Sequence, residues 1–567
     1  MSRLSLLVIL LFVGAAAALL AALPPDGFFS SDEGVKFIQL RSLAENGFRD
    51  ARIRWPGDAL GLERRYAVVE RFFELRDGEL YSPHPLLFAL ASAPGWLAFG
   101  FRGLYVLPLL AGAATVLLTV VLARAFGARR PWLAGAIVAF ASPIFFYGLC
   151  YWEHTPAVAL WLGGFVVLLR KSPARLAFAG ALWGVGAALR PELYWLAAWS
   201  VAALFTFHKG ERLRTAIWPA AAFLFTAVGL ELFMQAAWGQ PAFMRLGANL
   251  SHGGPRGAAA FFYAVGHSLV PLVPWYFGAA AAGAIFFAVA GIKWRPGAYV
   301  AAACGVPLTL LYWRFYGGYA TPLVASFPAL FGLAFLARAE VRRTFGAAAA
   351  LEKSFYLAAG GFAATLFIVI PDTSGYAWGP RFLLYAVPAA ATALVKSLEG
   401  AAERRPWPST RATLITALVL LSAATQVFGL LRMGNAKVTR ERLLTTLRSL
   451  EPGPVIVDHW YLPTYAAPLY GDRAFVLSRA EGQLPLLGDA LRERGFRRAY
   501  FLTEIPTRGP EGDSYVLGVT SRLSRTFNVV DGRKIPGRGF TLPYYVWLLE
   551  LGGPAEPGQG RPLRSRG

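Results

Sequence analysis

Leu4-Ser5-Leu6-Leu7-Val8-Ile9-Leu10-Leu11-Phe12-Val13-Gly14-Ala15-Ala16-Ala17-Ala18-Leu19-Leu20-Ala21-Ala22-Leu23 carries no charge from end to end, and a helix of that length crosses about 30 Å of hydrocarbon. It exceeds the apolar core of a signal peptide, about 7 to 15 residues, so an uncleaved first membrane helix is expected. Runs of the same character recur as far as 412–431, parted by short basic or Gly/Pro-rich loops. The whole chain agrees with this reading: 56% of residues are hydrophobic and 16% charged, more apolar matter than a water-soluble core of this size absorbs.

The net charge of +22 does not point to nucleic acid, because the cations are not gathered on one face or interleaved with aromatics. They alternate from loop to loop instead. Arg124, Arg129 and Arg130, then Arg170 and Arg175, then Lys209, Arg212 and Arg214, and later Lys396, Arg404 and Arg405 fall on one side of the membrane. The intervening loops hold Glu153, Arg190-Pro191-Glu192 and the stretch from Asp372 to Arg381. Positive loops stay in the cytoplasm, which places the N-terminus inside and, after roughly thirteen spans, the C-terminus outside. Residues 24–102 then form the first outer loop, with a short surface helix over Val35–Leu43 and a second, interfacial helix over Pro85–Phe101 broken at Pro94-Gly95.

The membrane module ends near 431. Beyond it, Pro454–Asp458, Ala474–Leu477 and Arg498–Leu502 read as buried strands and Leu484–Arg494 as a helix between them, so 432–567 is expected to be a small extracytoplasmic α/β domain with a disordered Gly/Pro/Arg-rich tail. The fold class is thus a polytopic α-helical membrane protein with a small C-terminal α/β domain. Cys150 and Cys304 sit in or beside apolar runs and read as packing residues, with no disulfide framework or metal spacing between them.

Four places hold chemistry. Ser30-Ser31-Asp32-Glu33 follows the first helix directly. Its spacing fits a capping box, and its adjacent carboxylates equally fit a base for an acceptor hydroxyl or ligands for a divalent cation. Tyr81-Ser82-Pro83-His84-Pro85 closes the same loop, where His84 is either a turn residue or a contact for phosphate, proton or metal. Glu153, in Tyr151-Trp152-Glu153-His154-Thr155-Pro156, is a carboxylate near lipid and so needs a partner or water. Arg381 and Arg190 stand at outer ends of spans, suited either to headgroups or to bidentate grip on a phosphate.

This order of features resembles the GT-C membrane glycosyltransferases, in particular the lipid A aminoarabinose transferase and the protein O-mannosyltransferase-like group. The resemblance covers roughly the first 200 residues in motifs and the rest in topology. In those families an Asp-Glu pair follows the first helix, matched here by Asp32-Glu33, and the Asp is the catalytic residue. Their aromatic-Glu-Lys-Pro element is replaced by Ser82-Pro83-His84-Pro85, so His84 stands where the family has Lys. A second family acid before Pro is matched more loosely by Glu153. The resemblance implies a bacterial inner-membrane enzyme that moves a monosaccharide from a polyprenyl-phosphate carrier to a lipid, glycan or protein hydroxyl on the outer side. Asp32, Glu33 and Glu153 would be its catalytic acids, and His84, Arg381, Tyr81 and Arg190 would contact substrate. A divalent metal ion stays open as a cofactor. A transporter or lipid-sugar flippase also has many spans, but transporters carry internal repeats and ionisable sites near the midplane, whereas these residues gather at one surface. A non-catalytic scaffold with the same fold is a third reading.

Overall fold

The computed structural model describes residues 2–67, 72–170, 172–244, 246–247, 326–331, 346, 348–369, 381–402, 409–478, 482–507, 509–539 and 541–551. The chain divides into two compact units. One comprises Met1–Ala21, Pro94–Gln235 and Pro241–Leu430, and the other Ala22–Ala93, Ala236–Gln240 and Leu431–Gly567.

The first unit is helical. Helix α1 (Arg3–Ala22) buries Phe12 completely, edge-on against Phe145 with ring centroids 5.2 Å apart, while Leu7, Leu10 and Leu11 are 49%, 58% and 53% exposed. An apolar helix with one packed stripe and a leucine-covered outer face suits lipid rather than water. Among the described residues four helical stretches are long and apolar enough to span: Arg3–Ala22, Leu86–Ala125, Arg212–Trp238 and Ile415–Ser449. Pro131–Phe140, His154–Val167, Pro173–Leu189 and Glu192–Phe207 are apolar but shorter. Helices Glu192–Phe207 and Ala350–Val369 are tied by Trp195 and Trp199, whose indole N–H groups both donate to Thr365 Oγ1 at 2.8 Å.

The spans expected near 269–292 and 298–316 lie outside the described residues, as do Cys304 and the tail beyond 551; of 320–337 only 326–331 is described. The break expected at Pro94-Gly95 is not where the chain changes direction. Helix Leu86–Phe99 runs through Pro94, and the change comes at a 3-10 turn, Gly100–Tyr105, before Val106–Ala125. Gly95 and Gly103 permit it, because a Cβ on Gly103 would meet the Gly95 carbonyl oxygen at 1.8 Å.

The second unit holds α2 (Ser31–Glu45), an antiparallel hairpin of β1 (Glu74–Arg76) and β2 (Glu79–Tyr81), and a five-stranded sheet. The sheet order is β4-β3-β5-β7-β6, from β3 (Val455–Val457), β4 (Phe475–Leu477), β5 (Arg498–Glu504), β6 (Asn528–Ile535) and β7 (Tyr544–Glu550). The three strands expected from sequence are the parallel half. The helix Gln483–Glu493 crosses from β4 to β5 and buries Leu484, Leu487 and Leu491 on one face. β3 lies inside the sheet between β4 and β5, and Val455, Ile456 and Val457 are all 0% exposed, the burial on both faces usual for a parallel strand.

Helix α2 is locked into this unit by close backbone contacts. A Cβ on Gly34 would stand 1.8 Å from Thr464 O, and one on Gly27 would stand 2.3 Å from Lys437 O. Trp55 Nε1 adds a bond to the β4 backbone at Phe475 O, 3.0 Å away. The segment that follows the first helix therefore packs on chain some four hundred residues later.

Candidate active site

At the start of α2 the Ser30 hydroxyl accepts from Glu33 N at 3.3 Å, and Glu33 Oε2 accepts from Ser30 N at 3.0 Å and also from Phe29 N. This is a complete capping box, which satisfies donors that a helix N-terminus otherwise leaves unpaired. Glu33, 0% exposed, thus uses one carboxylate oxygen to hold the turn. Asp32 stands beside it in the same first turn, part-exposed, where the helix dipole favours an anion. Arg440 fixes the approach to this turn. Its Nη1 donates to the carbonyls of Phe28 and Phe29, and its guanidinium lies over the Tyr465 ring, 3.8 Å from the centroid.

Lys36 and Gln39 follow Asp32 by four and seven residues and so share its face of the helix; both are 1% exposed. That face meets the His84 turn, because Gln39 Nε2 donates to the His84 carbonyl at 3.2 Å. His84 is itself 2% exposed, its backbone N–H bonded to Ser82 Oγ at 3.2 Å. Gln240 reaches the same carbonyl at 3.5 Å and Ser82 O at 3.4 Å. Tyr81 ends β2, half-buried, and burial, then nearby Asp50, pushes its hydroxyl above the ordinary tyrosine range. Asp32, Glu33, Tyr81 and His84 therefore all belong to the second unit.

Glu153, Arg190 and Arg381 belong to the first. Arg190 Nη1 donates to Glu153 Oε1 at 2.8 Å and its Nε to Glu192 Oε1 at 2.7 Å, with the three side chains at most 2% exposed. Arg190 and Arg381 lie on one aromatic ring, that of Phe382, at 5.5 and 5.1 Å from its centroid. Two bonds of the Arg190 guanidinium are thus committed to carboxylates, while Arg381 remains part-exposed. Among the described residues no three His, Cys, Asp or Glu side chains group as a metal site requires.

Sequence reasoning passed over several of these residues. Lys36 and Gln39 were findable, since their spacing from Asp32 puts all three on one face of the helix. Glu192 was visible only as a loop acid, with nothing to pair it to Glu153. Arg440 and the cluster at the carboxyl ends of β3 and β5 gave no local signal. There Asp458 bonds His459 Nδ1 at 2.7 Å and accepts from the Thr503 hydroxyl at 2.6 Å, and Tyr461 donates to Glu504 at 2.8 Å.

No protein-family model and no curated protein matches the sequence. Solved structures do. ArnT from Cupriavidus metallidurans bound to undecaprenyl phosphate superposes with a TM-score of 0.55 at 12% identity, over 95% of this chain and 97% of that one. Its apo state gives 0.53 over the same shares. The oligosaccharyltransferase AglB from Archaeoglobus fulgidus, in complex with an inhibitory peptide and a dolichol-phosphate, gives 0.50 at 12% identity over 93% of this chain and 73% of its own. At such identity the likeness speaks for architecture alone: the chain shares the overall fold of these two multi-pass membrane proteins, the fold that its resemblance to the GT-C group implies.

Proposed function

We propose that the protein is a glycosyltransferase that moves a monosaccharide from a polyprenyl-phosphate carrier to an acceptor hydroxyl at the extracytoplasmic face of a bacterial inner membrane. The observation that carries this reading is the GT-C architecture along 95% of the chain, with Asp32 in the first turn of the helix that follows the first span. The structure with the highest superposition quoted above is described as bound to undecaprenyl phosphate, which supports a lipid phosphate as donor here. The alternating charges support an inside N-terminus, about thirteen spans and an outside C-terminal domain, with 1–431 as the membrane module and 432–567 as the α/β domain.

In this reading Asp32 takes the proton of the acceptor hydroxyl as it attacks the anomeric carbon from the face opposite the phosphate, so configuration inverts. Glu33 keeps the turn in place. Arg381 meets the departing phosphate, since a guanidinium offers two parallel donors, and Lys36, one turn from Asp32, adds a fixed positive charge beside the base. His84 and Tyr81 line the donor side, and Glu153 with Arg190 holds the position of Phe382 and, through it, Arg381.

The test is a deletion strain rescued with the wild-type gene or with Asp32→Asn, its surface glycolipids and glycoproteins compared by mass spectrometry. One sugar should vanish on deletion, return with wild type, and stay absent with D32N. Wild-type levels of that sugar from folded D32N would overturn the assignment of the base.

A further inference from the structure

Gln39 and Gln240 are 1% and 8% exposed, and both turn their amide nitrogens to the His84 carbonyl. A carbonyl only accepts, so the NH2 end of each amide is fixed on that side and the oxygen must point elsewhere. Among the described residues, neither Gln39 Oε1 nor Gln240 Oε1 meets a donor. Buried polar side-chain atoms are paired in the large majority of cases, and here two acceptors, on amides that share one carbonyl, break that rule. The shared carbonyl keeps the two amides close together. Gln39 lies on the Asp32–Lys36 face of α2, two turns or about 10 Å along the axis from Asp32.

We propose that Gln39 and Gln240 form a subsite that receives two hydroxyl donors from the sugar ring of the lipid-linked donor. This rests on the glycosyl-transfer reading and deepens it. Two amide oxygens select for O–H donors. The phosphodiester that links sugar to lipid is ionised at neutral pH, offers only acceptors and is repelled, and a polyprenyl chain leaves both oxygens unpaired. Neighbouring hydroxyls on a pyranose or furanose supply two donors at once, from the face of α2 that also carries Asp32.

The experiment uses the full-length protein in detergent and two kinds of probe, undecaprenyl phosphate alone and a panel of undecaprenyl-phosphate-linked hexoses and pentoses. Binding is read by quenching of intrinsic tryptophan fluorescence. Wild type should bind one sugar lipid more tightly than the bare lipid phosphate. Gln39→Leu and Gln240→Leu should each weaken that sugar lipid about tenfold and leave the bare lipid phosphate unchanged. Unchanged binding of the sugar lipid by both variants would mean that water alone satisfies the two oxygens, and would overturn the subsite. Equal loss of both probes would also overturn it, because it would mark a structural role for the glutamines. If wild type binds bare and sugar-bearing lipid equally, the subsite fails while the lipid-phosphate reading stands. If wild type binds neither, that reading itself fails, and the subsite with it.

Discussion

Asp32 and the Glu153–Arg190–Glu192 set place carboxylates in opposite surroundings. Asp32 stands part-exposed in the first turn of α2, its turn held by the neighbouring Glu33 and by Arg440 from the far end of the chain. Glu153 and Glu192 are 0% and 1% exposed and grip two positions of one guanidinium. The first arrangement keeps an acid near solvent with backbone dipoles around it, as a group that exchanges a proton requires. The second neutralises charge within protein, which fixes three segments to one another but leaves little for a substrate to displace. Carboxylates of equal promise in the sequence are thus divided by their surroundings, one suited to turnover and the others to fixing structure.

The largest expected effect breaks the first arrangement without touching the second. Asp32→Asn keeps shape and the Ser30–Glu33 box but removes the base, and general-base losses run about 10²- to 10⁴-fold in rate. Transfer measured with purified protein should fall by that factor while the melting temperature stays at the wild-type value. Arg190→Leu should do the reverse. It leaves two buried carboxylates without their shared cation, a change that costs about 3–5 kcal/mol, so yield and thermal stability in detergent should collapse before activity is worth measuring. A well-folded, stable R190L protein would show that the buried set is not what ties the helices at Glu153 and Glu192 together.

The sequence revealed local patterns and missed distant ones. The capping box at Ser30–Glu33, the helix around Val35–Leu43 and the strands that became β3, β4 and β5 all follow from residues within a few positions of each other. Periodicity and capping are local physics, so one sequence suffices to read them. Gln240 beside His84, Arg440 on Phe28, and Glu192 joined through Arg190 to Glu153 are contacts between segments whose sequences do not mention one another. β6 and β7 went unread as well. Asn528–Ile535 carries Asp531, Gly532, Arg533 and Lys534, an edge strand with exposed charge, which has none of the apolar continuity by which a central strand is recognised. The reading of Pro94-Gly95 erred for a related reason. A proline-glycine pair signals a break locally, but the close approach of Gly95 to Gly103 decides where the chain turns.

A smaller effect separates the two members of the acidic pair. Glu33→Ala should cost about 1 kcal/mol, within the roughly 0.5–2 kcal/mol range for lost N-caps, because it strips the partner from the Phe29 and Ser30 N–H groups. Transfer should drop with it, since the turn that carries Asp32 loosens. Glu33→Gln retains an acceptor oxygen for those N–H groups and should recover most of both quantities. Failure of Gln to rescue would mean that the Glu33 charge itself acts on substrate, and the contrast between a catalytic Asp32 and a clamping Glu33 would dissolve.

The smallest effect concerns how the second unit responds to pH. Burial raises the Glu504 carboxyl above the ordinary range, and the bond to Asp458 raises His459 despite partial burial. A folded-state pKa above the unfolded one means that the group stabilises the fold while protonated and that this contribution is lost as pH rises through the folded value. Both groups therefore act in the same direction. Glu504 loses its contribution as pH climbs above the usual glutamate range near 4.5, and His459 loses its own above the usual histidine range near 6.5. Melting followed by circular dichroism between about pH 5 and 8, where marginal folds are usually most stable, should show a modest decline toward the alkaline end. Glu504→Gln keeps the acceptor for the Tyr461 hydroxyl but cannot ionise, so it should flatten the lower part of that decline, and His459→Asn should flatten the upper part. The same measurement on D32N should follow the wild-type curve, since Asp32 is assigned to turnover and not to holding the sheet. A D32N curve that flattened with E504Q would instead tie the base to the stability of the C-terminal domain.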